Sequence, residues 1–253
     1  MNNNFNYNKI ISSYNKDGFA KVNKILDKDQ LHSFKKEVDK ICKILVKKYK
    51  APYVNLTKDK KVNTAHNLNK IFPRSILSNI KSYPFFKIFL KKIFNDDFIL
   101  RNVEIFAKPK STGLAAPIHQ DNYYWNVIDK KAVNVWISMN AANKSNGGLF
   151  YLKGSHKLGL LEHQLSNVKG TSQEISKDIL NKLLFKKISP TLNPGDCLIH
   201  HCEVIHGSNK NTSKKDRTAV VLSFKAKNSK YDTNRLEIYK KKLNKILKKK
   251  INS

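Results

Sequence analysis

Two separate segments of the chain carry the residue types that bind a transition metal. The first is His119-Gln120-Asp121, and the second is His206, which follows the apolar run 197–205. Two imidazoles and one carboxylate on one face of a metal form the facial triad typical of non-haem Fe(II) oxygenases, with positions left open for a chelating co-substrate and O2. Alternate residues of a strand point to the same side, so His119 and Asp121 could contact one ion. His206 would supply the third ligand from a distant strand.

A rare arginine follows this pattern. Arg217 opens the apolar run 218–222, which we expect to form a strand beside the His206 strand. A buried guanidinium there could bind the distal carboxylate of a dicarboxylate through two parallel hydrogen bonds. A purely structural interpretation stays open: His119 and Asp121 could lie in a surface loop, and His206 could be a hydrogen-bonded core histidine.

Four further residues look at first like a zinc cluster, namely Cys197, His200, His201 and Cys202. Their spacing fits no familiar zinc finger. On a strand, His200 and Cys202 would also face away from Cys197 and His201. We therefore expect these residues to pack inside the β-structure.

The elements that must position these residues change character along the chain. Asp27 and Gln30 form a capping-box-like start, and apolar residues then recur every three or four positions as far as Tyr49. A second helical pattern begins after Pro84 and ends at Asn95. From there on, short β-branched or aromatic runs alternate with Gly, Pro, Asn and Ser, over residues 99–107, 133–137, 149–151, 197–205 and 218–224.

This order predicts one domain over residues 1–253, mainly β with flanking helices. It divides into a helical N-terminal part over about 1–97, a β core over about 98–226 and a basic C-terminal helix over about 232–251. Many short strands separated by turns are typical of a sandwich or barrel, of which the jelly roll is one closed form. We expect segment 172–187, with its weak helical pattern, to cover one end. The apolar stripe of the tail is expected to dock on the body rather than on a membrane.

The composition limits the classes of protein to which the chain can belong. With 253 residues and 40% hydrophobic side chains, the chain can bury a substantial core. No apolar run approaches the ~20 residues of a membrane-spanning helix. Three cysteines and residues 1–9 without a secretion signal indicate a cytoplasmic protein without disulfides.

The net charge of +30 suggests a nucleic-acid partner, but only four of the 49 basic residues are arginines, and the lysines are spread from end to end. Abundant Lys, Asn and Ile are what an A+T-rich genome encodes. We therefore expect a small-molecule partner and no nucleic acid. The few arginines then mark places that need a planar, bidentate donor.

The sequence resembles the phytanoyl-CoA dioxygenase family of Fe(II)/2-oxoglutarate-dependent oxygenases over most of its length. One departure is Lys153, where proline often precedes the Gly-Ser-His turn, and it concerns only the nearby loop. The motifs that carry the resemblance are Asp17-Gly18-Phe19, Lys108-Pro109, His119-Gln120-Asp121, Asn134-Val135-Trp136, Asn146-Gly147-Gly148-Leu149, Gly154-Ser155-His156, Gly195-Asp196, His206-Gly207-Ser208, Asn211, Ser213 and Arg217.

The resemblance implies a double-stranded β-helix, the jelly-roll or cupin-like barrel, and it implies Fe(II), 2-oxoglutarate and O2 as cofactors. In related halogenating enzymes a small residue replaces the carboxylate, so the presence of Asp121 favours hydroxylation. By similarity, Fe(II) would be held by His119, Asp121 and His206, and 2-oxoglutarate by Arg217, Ser208 and Trp136.

The substrate pocket is expected to include Lys108, Tyr123 and Trp125. A basic rim favours an anionic metabolite, although family substrates range from acyl-CoA thioesters to amino acids and phosphonates. Desaturation, cyclisation or epimerisation with the same cofactors are open alternatives to hydroxylation. An alternative of another class is a basic nucleic-acid-binding module on an inactive barrel, which predicts binding that weakens steeply with salt.

Overall fold

A computed structural model describes residues 5–49, 53–166, 168, 171–239 and 241 of the chain. Its helices are α1 Tyr7–Asp17, α2 Lys28–Lys48, α3 Leu68–Ile71, α4 Ile76–Asn79, α5 Pro84–Phe94, α6 Asn122–Trp125 and α7 Lys177–Asn181. Its strands are β1 Phe19–Val22, β2 Val54–Leu56, β3 Val62–Ala65, β4 Phe98–Lys108, β5 Ala116–His119, β6 Ala132–Ser138, β7 Leu149–Leu152, β8 Gln164–Leu165, β9 Gln173–Glu174, β10 Lys187–Ile188, β11 Cys197–His201, β12 His206–Ser208 and β13 Arg217–Ala226.

Two antiparallel sheets form the body of the protein. The larger sheet has the order β1-β11-β6-β13-β4-β3-β2, and the smaller has the order β10-β7-β12-β5. Side chains of both sheets meet in one buried cluster, where Trp136 and Leu198 of the larger sheet join Leu149 and Tyr151 of the smaller. This arrangement confirms the predicted double-stranded β-helix, and it places the space between the sheets where the site residues converge.

The other face of the larger sheet is covered by helices. Phe34 and Leu45 of α2 and Phe89 of α5 pack in one core cluster with strand residues such as Val103 and Val220. Because helix and sheet bury these apolar faces against each other, the larger sheet is supported from behind. Because this apolar core supports the sheet from outside, the face that lines the barrel interior can carry polar residues.

Both predicted long helices are present. The Asp27 side chain accepts a hydrogen bond from the backbone of Gln30, whose own side chain accepts one from the Asp27 backbone, so α2 begins with a complete capping box. Pro84 occupies the first turn of α5, and the left-handed Asn95 ends that helix.

Three expectations about the strands were wrong. Residues 1–97 are not only helical, because β1 pairs with β11 and the β2–β3 hairpin pairs with β4. The run 197–205 is not one strand: β11 ends at His201, and β12 begins at His206 in the other sheet. Nor does Arg217 lie beside the His206 strand, since β13 pairs with β4 and β6. Strands of three to five residues show too little periodicity to reveal such pairings.

Two segments with predicted helical patterns, 232–251 and 172–187, differ less from expectation. Within the predicted helix 232–251, residues 233–239 and 241 are helical, and residues 240 and 242–251 lie outside the described part of the chain. Segment 172–187 contains only the five-residue α7 between β9 and β10. In the described ranges, no helix is both long and apolar enough to cross a membrane.

Candidate active site

Strand pairing brings the first two candidate ligands together. His119 ends β5 and His206 begins β12, and the two residues are direct partners in the antiparallel register. Their ring centroids lie 4.4 Å apart. Cross-strand partners hold their side chains close on one face of a sheet, so this pairing explains how residues far apart in sequence can meet.

Asp121 reaches the same point by a different route from the one expected. It is not on the strand of His119, because β5 ends there and Asp121 caps α6 with helical backbone angles. After His119 the chain leaves β5 and enters α6, and this change of direction brings the Asp121 carboxylate close to both histidines. Asp121 Oδ1 lies 3.5 Å from His119 Nε2 and 3.8 Å from His206 Nε2.

The two histidines present the correct nitrogen for a metal. Nδ1 of His119 lies 2.7 Å from the carbonyl oxygen of Pro117, and Nδ1 of His206 lies 3.0 Å from that of Val204. A carbonyl oxygen only accepts hydrogen bonds, so each Nδ1 carries the proton and each Nε2 keeps its lone pair. The candidate ligand atoms of His119, Asp121 and His206 all lie within 4.8 Å of one another. Two imidazole nitrogens and one carboxylate at this spacing fit Fe(II).

The second oxygen of Asp121 is held in place by donors from the larger sheet. Oδ2 accepts hydrogen bonds from Asn134 Nδ2 at 2.7 Å and from His200 Nε2 at 3.1 Å. Nδ1 of His200 in turn accepts from the Tyr151 hydroxyl at 3.0 Å. Burial would raise the pKa of Asp121, but the neighbouring His206 and the hydrogen bonds with His119 and His200 hold that pKa well below its usual range. The carboxylate is therefore ionised and oriented.

His200 corrects an expectation. It was expected to be simple barrel packing, and it is indeed buried, yet it belongs to the site through its bond to Asp121. Burial lowers the pKa of His206 to about 3, so its imidazole is neutral. A neutral imidazole is the form that ligates a metal.

A second group of residues forms a cationic pocket on the larger sheet and β12. Arg217 is 1% exposed, donates from Nη1 to the carbonyl oxygen of Phe106 at 2.9 Å, and lies over the Trp136 ring at 5.2 Å. Its Nε is buried without a hydrogen-bonding partner among the described residues. Lys108 is the partner of Arg217 across the β13–β4 register, and its Nζ lies 2.6 Å from Ser208 Oγ.

Arg217 and Lys108 are buried side by side, and the arginine affects the ionisation of the lysine. Burial lowers the pKa of Arg217 to about 9, so the guanidinium stays charged near neutral pH. Burial and the neighbouring Arg217 lower the pKa of Lys108 to about 6. An unpartnered guanidinium donor beside an amine and a hydroxyl is suited to a carboxylate, which would compensate the buried charge. The residues present therefore fit 2-oxoglutarate.

The three candidate metal ligands, the two donors to Asp121 and the residues of the cationic pocket line one cavity of about 780 Å³. Lys108 was expected in the substrate pocket, but its contacts place it with Arg217 and Ser208. Trp125 also lines the cavity. Tyr123 does not: it stacks on His163 at 4.2 Å, because successive residues of α6 point in different directions.

Sequence reasoning missed the part that the C-terminal helix plays in the cavity wall. Tyr239 of that helix lines the cavity and meets Tyr124 edge to face, at 5.9 Å. A hydrogen bond joins the Tyr239 hydroxyl to Ser172 at 3.2 Å. The apolar stripe of the tail was a usable signal for docking, but nothing in it indicated contact with the cavity.

A jelly-roll barrel with two imidazoles, one carboxylate and a buried arginine inside it defines the class of iron- and 2-oxoglutarate-dependent dioxygenases. The family model of phytanoyl-CoA dioxygenase (PhyH) matches residues 14–219. The chain belongs to this family, whose cofactors are Fe(II), 2-oxoglutarate and O2.

Curated relatives support the same assignment. Peroxisomal phytanoyl-CoA dioxygenase of Rattus norvegicus is 22% identical over 245 residues, which cover 86% of this chain and 68% of the rat protein. Phytanoyl-CoA dioxygenase 1 of Oryza sativa subsp. japonica is 26% identical over 158 residues, 62% of this chain and 53% of the rice protein. The chain thus spans between about half and two thirds of the length of these relatives.

Solved structures share the fold. EctD from S. alaskensis with bound Fe superposes with a TM-score of 0.73 at 16% identity, over 92% of this chain and 81% of EctD. The epimerase SnoN in complex with Fe3+, alpha-ketoglutarate and nogalamycin RO gives a TM-score of 0.71 at 14% identity, over 89% of this chain and 85% of SnoN. At this identity the likeness concerns the fold alone.

Proposed function

We propose that this protein is an Fe(II)/2-oxoglutarate-dependent dioxygenase that hydroxylates an unactivated C–H bond of a small anionic metabolite, with release of succinate and CO2. The observation that carries the proposal is the convergence of His119, Asp121 and His206 on one point in a cavity that the buried Arg217 also lines. These four side chains come from separate elements, so their presence in one cavity depends on the fold and not on sequence proximity.

The metal would be held by Nε2 of His119, Nε2 of His206 and Oδ1 of Asp121. When bound, iron with 2-oxoglutarate and O2 supplies the oxidising power that breaks the C–H bond. The protein fixes the ligands in advance: backbone carbonyls set both imidazole tautomers, and Asn134 and His200 orient the carboxylate. Three ligands on one side leave the other side open to small molecules.

The co-substrate would place its distal carboxylate against Arg217, with Ser208 and Lys108 as further donors. Trp136 lies beneath the guanidinium and restricts its orientation. A carboxylate accepts two parallel hydrogen bonds from an arginine, which sets both its position and its direction. Since Ser208 lies two residues beyond His206 on β12, the carboxylate site and the metal site are held by one strand.

One feature supports hydroxylation as the outcome. The carboxylate of Asp121 is present and held by two donors, which leaves no place for a halide at that position. The protein determines which carbon reacts by where it holds the substrate. The fold by itself is compatible with other outcomes, because its neighbours include an epimerase and a carbocyclase.

The proposal is tested by anaerobic reconstitution with Fe(II) and 2-oxoglutarate. We expect a visible charge-transfer band that is lost in His119→Ala and in Asp121→Ala. His32→Ala changes an exposed histidine on α2 and serves as the matched control. Absence of the band from the wild-type protein, or its survival in both site variants, would refute the proposal.

A further inference from the structure

The cavity contains two arginines, and each lies over a tryptophan. Arg217 lies over Trp136 at 5.2 Å, and Arg101 lies over Trp125 at 4.7 Å. The sequence has only two tryptophans and four arginines, so the two pairs include both tryptophans and half of the arginines. All four residues of the two pairs line the same cavity. The Arg217 pair belongs to the co-substrate pocket, which leaves the Arg101 pair without an assigned role.

A β-bulge in β4 determines the position of Arg101. In the β13–β4 register, Ser223 pairs with Asn102 and Phe224 pairs with Leu100, so Arg101 is the extra residue of a β-bulge. The bulge exchanges the faces of β4: Asn102 lines the cavity, whereas Leu100 also packs against the helical core. Bulges of this kind redirect a side chain and occur often beside active sites.

The ring under Arg101 is tied to the metal site. Trp125 ends the short helix α6, which Asp121 caps, and the Trp125 backbone N–H donates to the Asp121 carbonyl oxygen at 3.2 Å. A planar guanidinium stacked on an aromatic ring keeps its edge free for hydrogen bonding. The Arg101 edge is therefore presented at a fixed place relative to the candidate metal ligands.

The donors of Arg101 are available. Its Nε is buried without a partner, and in the described part of the chain its guanidinium makes no hydrogen bond or ion pair. The other charged groups of this region are engaged or exposed. Glu104 accepts from His66 and Asn102, and Lys225 donates to the carbonyl oxygens of Ala226 and Ser229. Lys70, at the cavity wall, is exposed.

We propose that Arg101, stacked on Trp125, is the substrate anchor: it binds a terminal oxyanion of the substrate, a carboxylate or a phosphate ester. This inference rests on the proposed function, because it names the class of molecule that the same cavity would hydroxylate. The buried Nε of Arg101 is costly without a partner, and an oxyanion bound at two donors would remove that cost. When the co-substrate occupies Arg217, Arg101 is the arginine of the cavity lining that remains available to the substrate.

The test uses the full chain with Fe(II) and 2-oxoglutarate under anaerobic conditions, so that no turnover occurs. Binding is followed by tryptophan fluorescence, since an occupant at Arg101 would lie against Trp125. The probes are matched pairs: hexanoate and hexanamide, phenylacetate and phenylacetamide, and hexyl phosphate and hexanol. The first two pairs test for a carboxylate and the third for a phosphate ester.

We expect at least one anionic probe to bind about tenfold or more tightly than its neutral partner, as is typical of charge-assisted hydrogen bonds. Arg101→Met should abolish this preference, and Arg101→Lys should retain only part of it because lysine lacks the planar fork. Arg74→Met, at an exposed arginine outside the cavity, should leave it unchanged.

Equal binding of every pair to the wild-type protein, or a preference that survives in Arg101→Met, would overturn the inference. The charge-transfer band of each variant shows whether the metal site is intact. Loss of the band from the wild-type protein would contradict the proposed function. A normal band without an oxyanion preference would contradict only the role of Arg101.

Discussion

Nε2 of His200 lies 3.1 Å from Oδ2 of Asp121, and this contact links the larger sheet to the candidate metal site on the smaller one. A carboxylate can only accept hydrogen bonds when ionised, so His200 is the donor and its Nδ1 is left to accept from Tyr151. The relationship makes His200 a positioning residue, because it holds Oδ2 of Asp121 while Oδ1 lies near Nε2 of His119 and of His206.

Replacing this donor should weaken metal binding. We expect His200→Phe, which keeps a ring but loses the hydrogen bond, to lower the affinity for Fe(II) about 10- to 100-fold, the usual effect of removing a partner of a metal ligand. Tyr151→Phe removes only the hydroxyl that orients His200 and should have a smaller effect. Anaerobic titration with Fe(II) measures both. Equal affinities for the wild type and His200→Phe would show that Asp121 needs no such support.

Removal of the metal should lower stability. A ligand that binds only the folded protein adds about 2.7 kcal/mol at a hundred times its Kd. For a chain of this size, that corresponds to a fall in Tm of roughly 5–10 °C when a chelator removes the metal. Calorimetry with Fe(II) and with EDTA measures the shift. Asp121→Ala should melt at the same temperature in both, and an equal shift in that variant would place the stabilising metal elsewhere.

Arg217 should govern the affinity for 2-oxoglutarate. Arg217→Lys keeps a positive charge but loses the fork that binds a carboxylate at two points. We expect the KM for 2-oxoglutarate to rise about 10- to 100-fold while the affinity for Fe(II) is unchanged. Co-substrate consumption and metal titration distinguish the two effects, with Arg74→Lys as the control for an exposed arginine. An unchanged KM would remove Arg217 from the co-substrate site.

Local signals in the sequence predicted the local parts of this structure. The capping pair Asp27 and Gln30 marks the start of α2, and Pro84 marks the start of α5, because each acts on the backbone within one helical turn. The residues of the site were recognisable because their chemistry depends on the type of side chain and not on the residues beside them in the sequence. Sequence alone therefore located the candidate ligands and the arginine.

Relationships between distant strands could not be predicted in this way. The position of Arg217 in the opposite sheet from His206 depends on where β13 pairs, and the bond from His200 to Asp121 depends on how the two sheets face each other. Tyr123 was misplaced because a four-residue helix gives no periodicity from which to tell its inner face. Arg101 reaches the cavity through a bulge, which leaves no pattern in the sequence.

Lys108 should take up a proton when 2-oxoglutarate binds. Its pKa is lowered to about 6, so above that pH the amine is largely neutral. An anion at Arg217 and Ser208 would favour the charged amine and raise its pKa. The affinity for 2-oxoglutarate should therefore be greatest below about pH 6 and fall as the pH rises towards the raised value.

Calorimetry in buffers of different ionisation heat counts the protons taken up. Lys108→Met should abolish the uptake, and Lys110→Met, at an exposed lysine on the following turn, should not. Identical proton counts for the wild type and Lys108→Met would show that Lys108 does not ionise on binding.

The cavity wall contains a pair whose contribution to stability should depend on pH. Nδ1 of His66, just after β3, lies 2.5 Å from Oε1 of Glu104 on the neighbouring strand β4. Burial lowers the pKa of His66, but the charge and hydrogen bond of Glu104 outweigh it and raise the pKa above its ordinary value. A raised pKa in the folded state adds stability that is fully present below the ordinary value of about 6.5 and disappears as the pH rises through the folded-state value.

Glu104→Gln removes the charge that produces this effect. We expect it to reduce the free energy of unfolding more at about pH 5.5 than at about pH 8.5, because the imidazolium that pairs with Glu104 is present only at the lower pH. Urea unfolding of both proteins at the two pH values measures the difference. Glu162→Gln, the same change at an exposed position, should show no comparable pH dependence. A loss of stability that is the same at both pH values would indicate a neutral hydrogen bond between His66 and Glu104 instead of an ion pair.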